Sequence, residues 1–173
     1  MISSTTRFMF GMAVLTLGTQ VLAEDSAKTL SAKLPDGCTI EVDVRRDETP
    51  ACWRLQCADA EPRKLGCDVT ELHQVAEIKA SPDGRWLALI SVGEGHPILE
   101  IADLREWRKL DRYQSPCSVN PYPGTISMGD WQAGQLGIES DLDLTVTQDE
   151  RSPDSIGDTR RYGLWPEGCE LVD

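Results

Sequence analysis

Residues 80–104 read ASPDGRWLALISVGEGHPILEIADL, and this stretch carries the strongest structural signal in the chain. Its first part, Ser81-Pro82-Asp83-Gly84, is a tight-turn sequence, since proline presets φ and glycine permits a positive φ. The run from Arg85 to Val92 is strongly apolar and predicts a strand. A loop at Gly93–Pro97 then separates it from a second predicted strand, Ile98–Leu104. The stretch therefore predicts two strands of an antiparallel sheet.

The segments on either side predict two further strands of the same sheet. Val75–Ser81 leads into the tight turn, and Trp107–Tyr113 is expected to add a fourth strand on the outside. Four short strands joined by tight turns within about 40 residues have the size of one propeller blade.

Alternating apolar and polar residues predict three earlier strands. They are Cys38–Val44, Cys52–Cys57 and Arg63–Val69, with a polar turn at Arg45–Pro50, and together they would form an antiparallel meander. Residues 24–36 are expected to be a loose N-terminal leader, and residues 37–173 a single β-rich domain.

The residues of Ala80–Leu89 and Ile98–Leu104 resemble the WD40-like repeat of TolB-type propellers. That repeat reads serine-proline-aspartate-glycine-basic, a few apolar residues, a glycine hairpin and an apolar strand ending in aspartate-leucine. The resemblance covers residues 76–110, and a weaker echo at 127–141 keeps the turn glycine without the proline and aspartate. Trp53, Trp86, Trp131 and Trp165 recur at spacings of 33, 45 and 34, which is either a repeat signal or four core residues of a β domain.

The length of the chain limits what such repeats can build. A closed propeller needs about four or more blades of about 40 residues each. The 150 residues from Glu24 onward are enough for three such blades and a fraction of a fourth at most. The expected fold is therefore all-β, with two to three small antiparallel sheets stacked as an incomplete, propeller-like assembly whose exposed edges are restrained by disulfides and covered by a partner.

Residues 1–23 have the pattern of a cleavable secretory signal. Arg7 is their only charged residue, Phe8–Leu17 is mainly apolar, and Val21-Leu22-Ala23 places cleavage near Ala23. The apolar run is about ten residues, whereas a spanning helix needs about 20. We predict a protein exported to the periplasm, or to the outside medium, without membrane insertion.

The cysteines agree with export. There are six, all after the signal: Cys38, Cys52, Cys57, Cys67, Cys117 and Cys169. An even number of cysteines in an oxidising compartment normally forms disulfide bonds. The alternative is a metal site, but the closest pair is separated by four residues and the only histidines are His73 and His96. A turn at Ala60–Arg63 favours pairing of Cys57 with Cys67, and Cys169 is expected to tie the C-terminus to the body.

Charge excludes some partner classes. The chain has 17 basic and 29 acidic residues, and loss of Arg7 with the signal leaves a net charge of −13. A protein that binds nucleic acids or anionic lipids needs a basic surface, so neither is an expected partner. The charge fits a basic partner, or it only keeps a secreted protein soluble.

No residue pattern predicts an enzyme or a cofactor. His73 and His96 lie in no hydrolase or metalloprotease motif, and there is no glycine-rich phosphate loop. Four carboxylates could gather around calcium: Asp141, Asp143, Asp149 and Glu150. However, Leu142 and Leu144 predict a strand whose acidic residues face water, so no metal is expected.

The segment from Tyr113 to Gly124 is the best candidate for partner binding. Its prolines and a disulfide at Cys117 would order it before binding, and tyrosine and serine make good contact residues. The candidate contact residues are Tyr113, Gln114, Ser115, Ser118, Asn120 and Tyr122. The Gly93–Pro97 loop, with Glu94 and His96, is the second candidate. The alternative is that Tyr113–Gly124 is only a long structural connection.

The overall pattern resembles periplasmic immunity proteins that neutralise type VI secretion effectors, in particular peptidoglycan amidases. The likeness lies in the signal, the size, the propeller-like β pattern and the even cysteines. It implies an inhibitor in a toxin–antitoxin pair, whose partner is a basic cysteine-histidine amidase with its active-site cleft plugged. The alternative is a periplasmic interaction module of the TolB-propeller type.

Overall fold

The chain forms three four-stranded antiparallel sheets in a computed structural model that describes residues 28–44, 51–72 and 74–173. Each sheet uses four strands that follow one another in sequence. The first contains β1 (Lys28–Lys33), β2 (Thr39–Val44), β3 (Cys52–Gln56) and β4 (Arg63–Cys67). The second contains β5 (Gln74–Ala80), β6 (Trp86–Gly93), β7 (His96–Asp103) and β8 (Cys117–Val119). The third contains β9 (Ile126–Gln132), β10 (Gln135–Ser140), β11 (Arg160–Trp165) and β12 (Glu170–Val172).

The predicted all-β class and the open assembly of small antiparallel sheets are confirmed. Strand order within each sheet follows the chain, as in a propeller blade, and the described residues form no closed barrel. A single α-helix of the described chain, α1 (Leu104–Leu110), lies between β7 and β8, and two short 3₁₀ turns, Gln148–Glu150 and Pro153–Ser155, lie between β10 and β11.

The second sheet lies between the other two, and β6 explains why. Leu87 and Leu89 pack into the core shared with the first sheet, whereas Ala88 and Ile90 pack into the core shared with the third. Successive side chains of a strand point to opposite faces, so a strand covered on both sides is apolar at every position. The uninterrupted apolar run that dominates the sequence is therefore the signature of the central layer.

The predicted Ser81–Gly84 turn is present and is closed by its own hydrogen bonds. The Gly84 amide donates to the Ser81 carbonyl at 2.9 Å, and the Ser81 amide to the Trp86 carbonyl at 2.9 Å. Asp83 Oδ1 accepts from the Ser81 hydroxyl at 2.6 Å and from the Arg85 amide at 3.0 Å. The Ser81 hydrogen bond holds the pKa of the Asp83 carboxyl below its usual value. These bonds explain why this residue order fixes the β5–β6 connection.

The predicted Gly93–Pro97 loop is shorter than expected. Gly93 pairs with His96 across the hairpin, which leaves only Glu94 and Gly95 in the turn. Their φ values are 50° and 83°, the left-handed conformation that a two-residue hairpin turn requires.

Substituting Gly84 by alanine should cost more stability than substituting Gly95. Both residues have positive φ, so alanine costs about 1–2 kcal/mol at each. A Cβ on Gly84 would also lie 2.8 Å from Pro35 Cδ, whereas nothing lies within 4 Å of the same atom on Gly95. We expect Gly84→Ala to lower the free energy of unfolding by about 1–3 kcal/mol more than Gly95→Ala, because the first and second sheets must separate locally. Urea titration of both variants with disulfides intact measures this, and equal losses would contradict the contact.

The predicted strand at Trp107–Tyr113 is wrong, because residues 104–110 form helix α1. Asp103 caps it by accepting from the Glu106 amide at 3.0 Å. Leu104 and Trp107, three residues apart on one helical face, are both fully buried. The fourth strand of the second sheet is instead Cys117–Val119.

The N-terminal leader is also corrected. Residues 28–33 are strand β1, paired with β2 along its whole length, and Ala32 and Leu34 are buried. The apolar residues at every second position, Leu30, Ala32 and Leu34, are typical of a half-buried strand. Residues 24–27, the signal at 1–23 and the turn at Arg45–Pro50 lie outside the described residues. No helix among those described has both the length and the apolar character needed to cross a bilayer.

All six cysteines are paired, which confirms the disulfide prediction. The bonds are Cys38–Cys57, Cys52–Cys67 and Cys117–Cys169. The favoured Cys57–Cys67 pairing is wrong because the register of β3 and β4 places Cys52 directly opposite Cys67. The expectation that Cys169 ties the C-terminus to the body is confirmed. Three disulfides indicate a protein that works outside the cytoplasm.

The four tryptophans do not all occupy equivalent positions in the three sheets. Trp53 lies in the third strand of its sheet, Trp86 in the second, Trp131 in the first and Trp165 in the third. Trp53 and Trp86 are buried, whereas Trp165 is exposed, so the interpretation as core residues holds for the first two.

Candidate functional site

The antiparallel strands give the assembly two ends, which we name by an exposed aromatic residue at each. The Tyr122 end contains the connections at residues 68–72, 94–95, 120–125 and 141–159. The Trp165 end contains those at 34–38, 81–85, 133–134 and 166–169, together with α1.

The segment predicted as one binding loop runs between these ends. Its middle part, Cys117–Val119, is strand β8, paired with Leu99–Ile101. Gln114 therefore lies at the Trp165 end, whereas Asn120 and Tyr122 lie at the Tyr122 end. The two groups of candidate contact residues cannot act as a single loop.

Tyr113 faces the interior. Its hydroxyl donates to Glu100 Oε2 at 2.7 Å, and its ring meets the edge of Trp107 with centroids 4.9 Å apart. Glu100 is 2% exposed and also accepts from the Ser91 hydroxyl at 2.8 Å and the Glu71 amide at 3.0 Å. Burial, aided by the nearby Glu100 carboxyl, raises the pKa of the Tyr113 hydroxyl. Tyr113 is thus part of a buried polar network that holds β6, β7 and the approach to β8 together.

Ser115 and Ser118 differ in exposure. The Ser115 hydroxyl donates to the Cys117 carbonyl at 2.8 Å, so it is used within the fold. Ser118 is exposed on β8, and its hydroxyl donates to Glu71 Oε2 at 3.1 Å. Of the two, only Ser118 is presented to solvent beside the Tyr122 end.

Tyr122 and His96, from the two separately predicted loops, lie side by side. Their rings pack edge to face with centroids 4.7 Å apart and an interplanar angle of 82°. Tyr122 is 48% exposed, and Glu94 and His96 are exposed next to it. The structure thus brings together Asn120, Tyr122, Glu94 and His96. His73, the other histidine, lies outside the described residues.

Residues 120–124, which we call the Tyr122 tip, are held by hydrogen bonds from several sides. Within the tip, the Tyr122 amide donates to Asn120 Oδ1 at 2.9 Å and the Gly124 amide to the Pro121 carbonyl at 2.8 Å. From outside, Arg151 Nη1 donates to the Asn120 carbonyl at 2.6 Å. The Cys117–Cys169 disulfide fixes the strand that leads into it. The exposed ring is therefore mounted on backbone that the fold has already ordered.

Arg151 and Asp141 are supporting residues that the sequence analysis missed. Asp141 Oδ1 accepts from the Thr125 amide at 2.6 Å, directly after the tip. Arg151 also donates to the carbonyls of Leu144 and Val146, which joins the tip to the 141–159 connection. The bonds that hold the tip, Arg151 to the Asn120 carbonyl and Asp141 to the Thr125 amide, join residues 31 and 16 apart in sequence, so no local pattern predicts them.

The predicted strand around Leu142 and Leu144 is wrong, because the chain leaves the sheet after Ser140 and forms an irregular loop. The two leucines are nevertheless buried. Asp143 Oδ1 accepts from the Thr145 amide at 3.0 Å, and its other oxygen pairs with Arg160; the Thr145 hydrogen bonds, with help from Arg160, hold the pKa of the Asp143 carboxyl below its usual value. In the described chain, no three His, Cys, Asp or Glu side chains are placed to hold a metal ion.

The Tyr122 end is rich in carboxylates. Its exposed acidic residues are Asp68, Glu71, Glu94, Asp149, Glu150, Asp154 and Asp158. The two arginines of the 141–160 region are engaged internally, Arg151 with carbonyls and Arg160 with Asp143. An exposed aromatic tip surrounded by negative charge suits a basic protein surface.

No protein-family model matches the sequence, and comparison with curated proteins gives no match.

Proposed function

We propose that this protein is a periplasmic inhibitor of the immunity-protein kind, which binds a secreted cell-wall hydrolase and blocks it by inserting the Tyr122 tip into the active-site cleft. The partner is a basic peptidoglycan amidase with a cysteine-histidine catalytic pair, delivered by type VI secretion. The observation that supports this best is an exposed tyrosine on a loop whose backbone is fixed in the free protein.

Preordering matters because binding must overcome the entropy of fixing the contact residues. Immobilising one flexible side chain costs about 0.5–1.5 kcal/mol, and ordering a mobile loop adds to that. At the Tyr122 tip the Asn120 side chain and the Pro121 carbonyl already accept from backbone amides, and Arg151 already donates to the Asn120 carbonyl. A tyrosine presented in this way adds contact area with little entropy to lose, which is typical of residues that dominate interface energy.

Charge supports the choice of a basic partner. With a formal net charge of −12 for the whole chain and exposed carboxylates around Tyr122, long-range attraction speeds the encounter with a cationic protein. The association rate should therefore fall with rising salt, while the dissociation rate changes little.

A second candidate is a periplasmic interaction module of the TolB-propeller type without inhibitory role. The arrangement of three consecutive four-stranded meanders, similar to propeller blades, favours it. Its partner would be a scaffold protein of the cell envelope, and no catalytic cleft would be filled.

Tyr122→Ala tests the inhibitor proposal. The mature chain, recovered from its producing cells with bound proteins, should bring down one secreted hydrolase whose release of peptidoglycan fragments it blocks. Tyr122→Ala should weaken binding and inhibition by about 30-fold, since a central aromatic contact contributes about 2 kcal/mol. Calorimetric titration and a turbidity assay on purified peptidoglycan measure the two effects.

Leu110→Ala is the matched control, because Leu110 is also exposed and apolar, at 57%, but lies on α1 at the other end. It should leave inhibition unchanged. Equal inhibition by Tyr122→Ala and the parent protein would refute insertion of the tip. Recovery of envelope scaffold proteins alone would favour the interaction module.

A further inference from the structure

A groove crosses the Trp165 end between the second and third sheets. Its deeper part has a volume of about 340 Å³ and is lined by three turns that are far apart in sequence. These turns contribute Asp83, Arg85, Trp86, Gly134, Trp165 and Glu167. A second part of about 320 Å³ adjoins it and adds Asp103, Glu106, Gln114 and Pro116. Arg85, Trp86 and Glu167 line both parts, so the Arg85–Glu167 ion pair bridges one continuous groove.

Two tryptophans form the apolar surface of the groove. Trp165 is 38% exposed and stands over the β9–β10 turn, where a Cβ on Gly134 would lie 3.3 Å from its ring. Trp86 is 7% exposed and forms the floor. Cavities of roughly 300–1,000 Å³ with aromatic walls and a few polar groups are typical binding sites.

Arg85 shows which chemistry the groove accommodates. Its guanidinium lies 4.4 Å from the centroid of the Trp86 ring, a cation–π contact. The same group pairs with Glu167 and lies 3.9 Å from Asp103 Oδ2. A cation with an apolar stem is thus already bound between an indole and carboxylates.

The groove has more negative than positive charge. Four carboxylates line it against the single arginine: Asp83, Asp103, Glu106 and Glu167. Arg105 approaches Asp83 at 3.6 Å from outside the groove, and Asp103 Oδ1 caps α1. Glu167 is exposed and Arg85 is half-buried, so solvent screens their ion pair. Glu167 can therefore exchange Arg85 for another cation, while Arg85 keeps Asp103 nearby.

We infer that this groove is a docking site for a basic segment of a protein partner, in which an arginine or lysine is flanked by apolar residues. The incoming cation lies against the Trp165 ring and pairs with Glu167, and the apolar neighbours cover the exposed part of the indole. This surface lies at the opposite end from the Tyr122 tip. Its occupation does not depend on whether the tip blocks an enzyme.

The test uses the mature chain with its disulfides intact and the synthetic peptide acetyl-Ala-Leu-Arg-Leu-Ala-amide at low salt. We expect saturable binding that shifts the indole N–H resonance of Trp165, assigned with Trp165→Phe. The same peptide with glutamate in place of arginine should bind at least about tenfold more weakly, because it meets carboxylates instead of pairing with them. Equal binding of the two peptides, or no binding of the arginine peptide, would overturn the inference.

Variants locate the effect. Glu167→Lys and Trp165→Ala should each weaken binding of the arginine peptide by about tenfold or more. Both side chains are exposed, so the fold should persist. Asp149→Lys makes the same charge change at the Tyr122 end. It should keep the affinity for the arginine peptide within about twofold, because from that distance the new charge acts only through a long-range field that salt screens. Parent affinity in Glu167→Lys would overturn the site. Tyr122→Ala should bind the peptide normally, which separates this result from the inhibitor proposal.

Discussion

Replacing Cys117 and Cys169 together by serine is expected to lower the free energy of unfolding by about 4 kcal/mol. The bond joins residues 52 apart in sequence, the longest loop closed by any of the three disulfides. Without it the unfolded chain gains the entropy of that loop. Because domains of this size are stable by only about 5–15 kcal/mol, the loss is a large fraction of the total.

The same variant should loosen the Tyr122 tip, since β8 has only three residues and leads directly into it. We expect faster amide exchange at residues 117–124 and weaker inhibition of the partner. Denaturant titration and hydrogen exchange measure the two effects. The matched control is Cys52→Ser with Cys67→Ser, which opens a loop of 15 residues and should cost about 3 kcal/mol without changing exchange at the tip. If amide hydrogen exchange at residues 117–124 is unchanged when Cys117 and Cys169 are replaced by serine, hydrogen bonds alone order the tip.

Trp107→Ala should lower the free energy of unfolding by about 3–5 kcal/mol. The side chain is fully buried between the first and second sheets, and its ring meets Trp53 at 5.3 Å and Tyr113 at 4.9 Å between centroids. Its indole N–H also donates to the Leu65 carbonyl at 3.2 Å. Alanine leaves a cavity, removes both aromatic contacts and strands a buried carbonyl.

Trp165→Ala is the control for the same change of residue at a position that is 38% exposed, and it should cost clearly less than Trp107→Ala because less of the ring is buried. Urea titration monitored by the near-ultraviolet circular dichroism of the remaining tryptophans compares the two. Similar losses in both variants would mean that α1 packs on the first sheet less tightly than the contacts of Trp107 indicate.

The two proposed surfaces divide the molecule by chemistry. The Tyr122 end presents one rigid aromatic ring among carboxylates, which suits insertion into a cleft. The Trp165 end presents a groove with tryptophan walls and an excess of acidic groups, which suits a side chain entering from the partner. Both surfaces favour a basic partner. One protein that spans both ends, or two separate partners, would fit this charge. Tyr122→Ala and Glu167→Lys each change one end only, so they distinguish the two cases.

Part of the candidate site could be predicted from sequence. The loops and residue types predict contact roles for Tyr122, Asn120, Glu94 and His96, and these residues lie together at one end. The same reasoning predicts contact roles for Tyr113 and Ser115, which instead face inward. Local sequence does not show this difference, because it depends on Glu100 and the Ile101 carbonyl, which reach these side chains from β7.

The sequence alone predicts the β class, the central β6–β7 hairpin and the presence of disulfides. These follow from local causes: an uninterrupted apolar run, a turn whose residues satisfy their own hydrogen bonds, and an even set of cysteines. The tertiary structure alone gives the cysteine pairing, the division of residues 113–124 between two ends and the groove at Trp165. Each of these depends on strand register or on contacts between segments tens of residues apart, and such contacts leave no periodic signal in the chain.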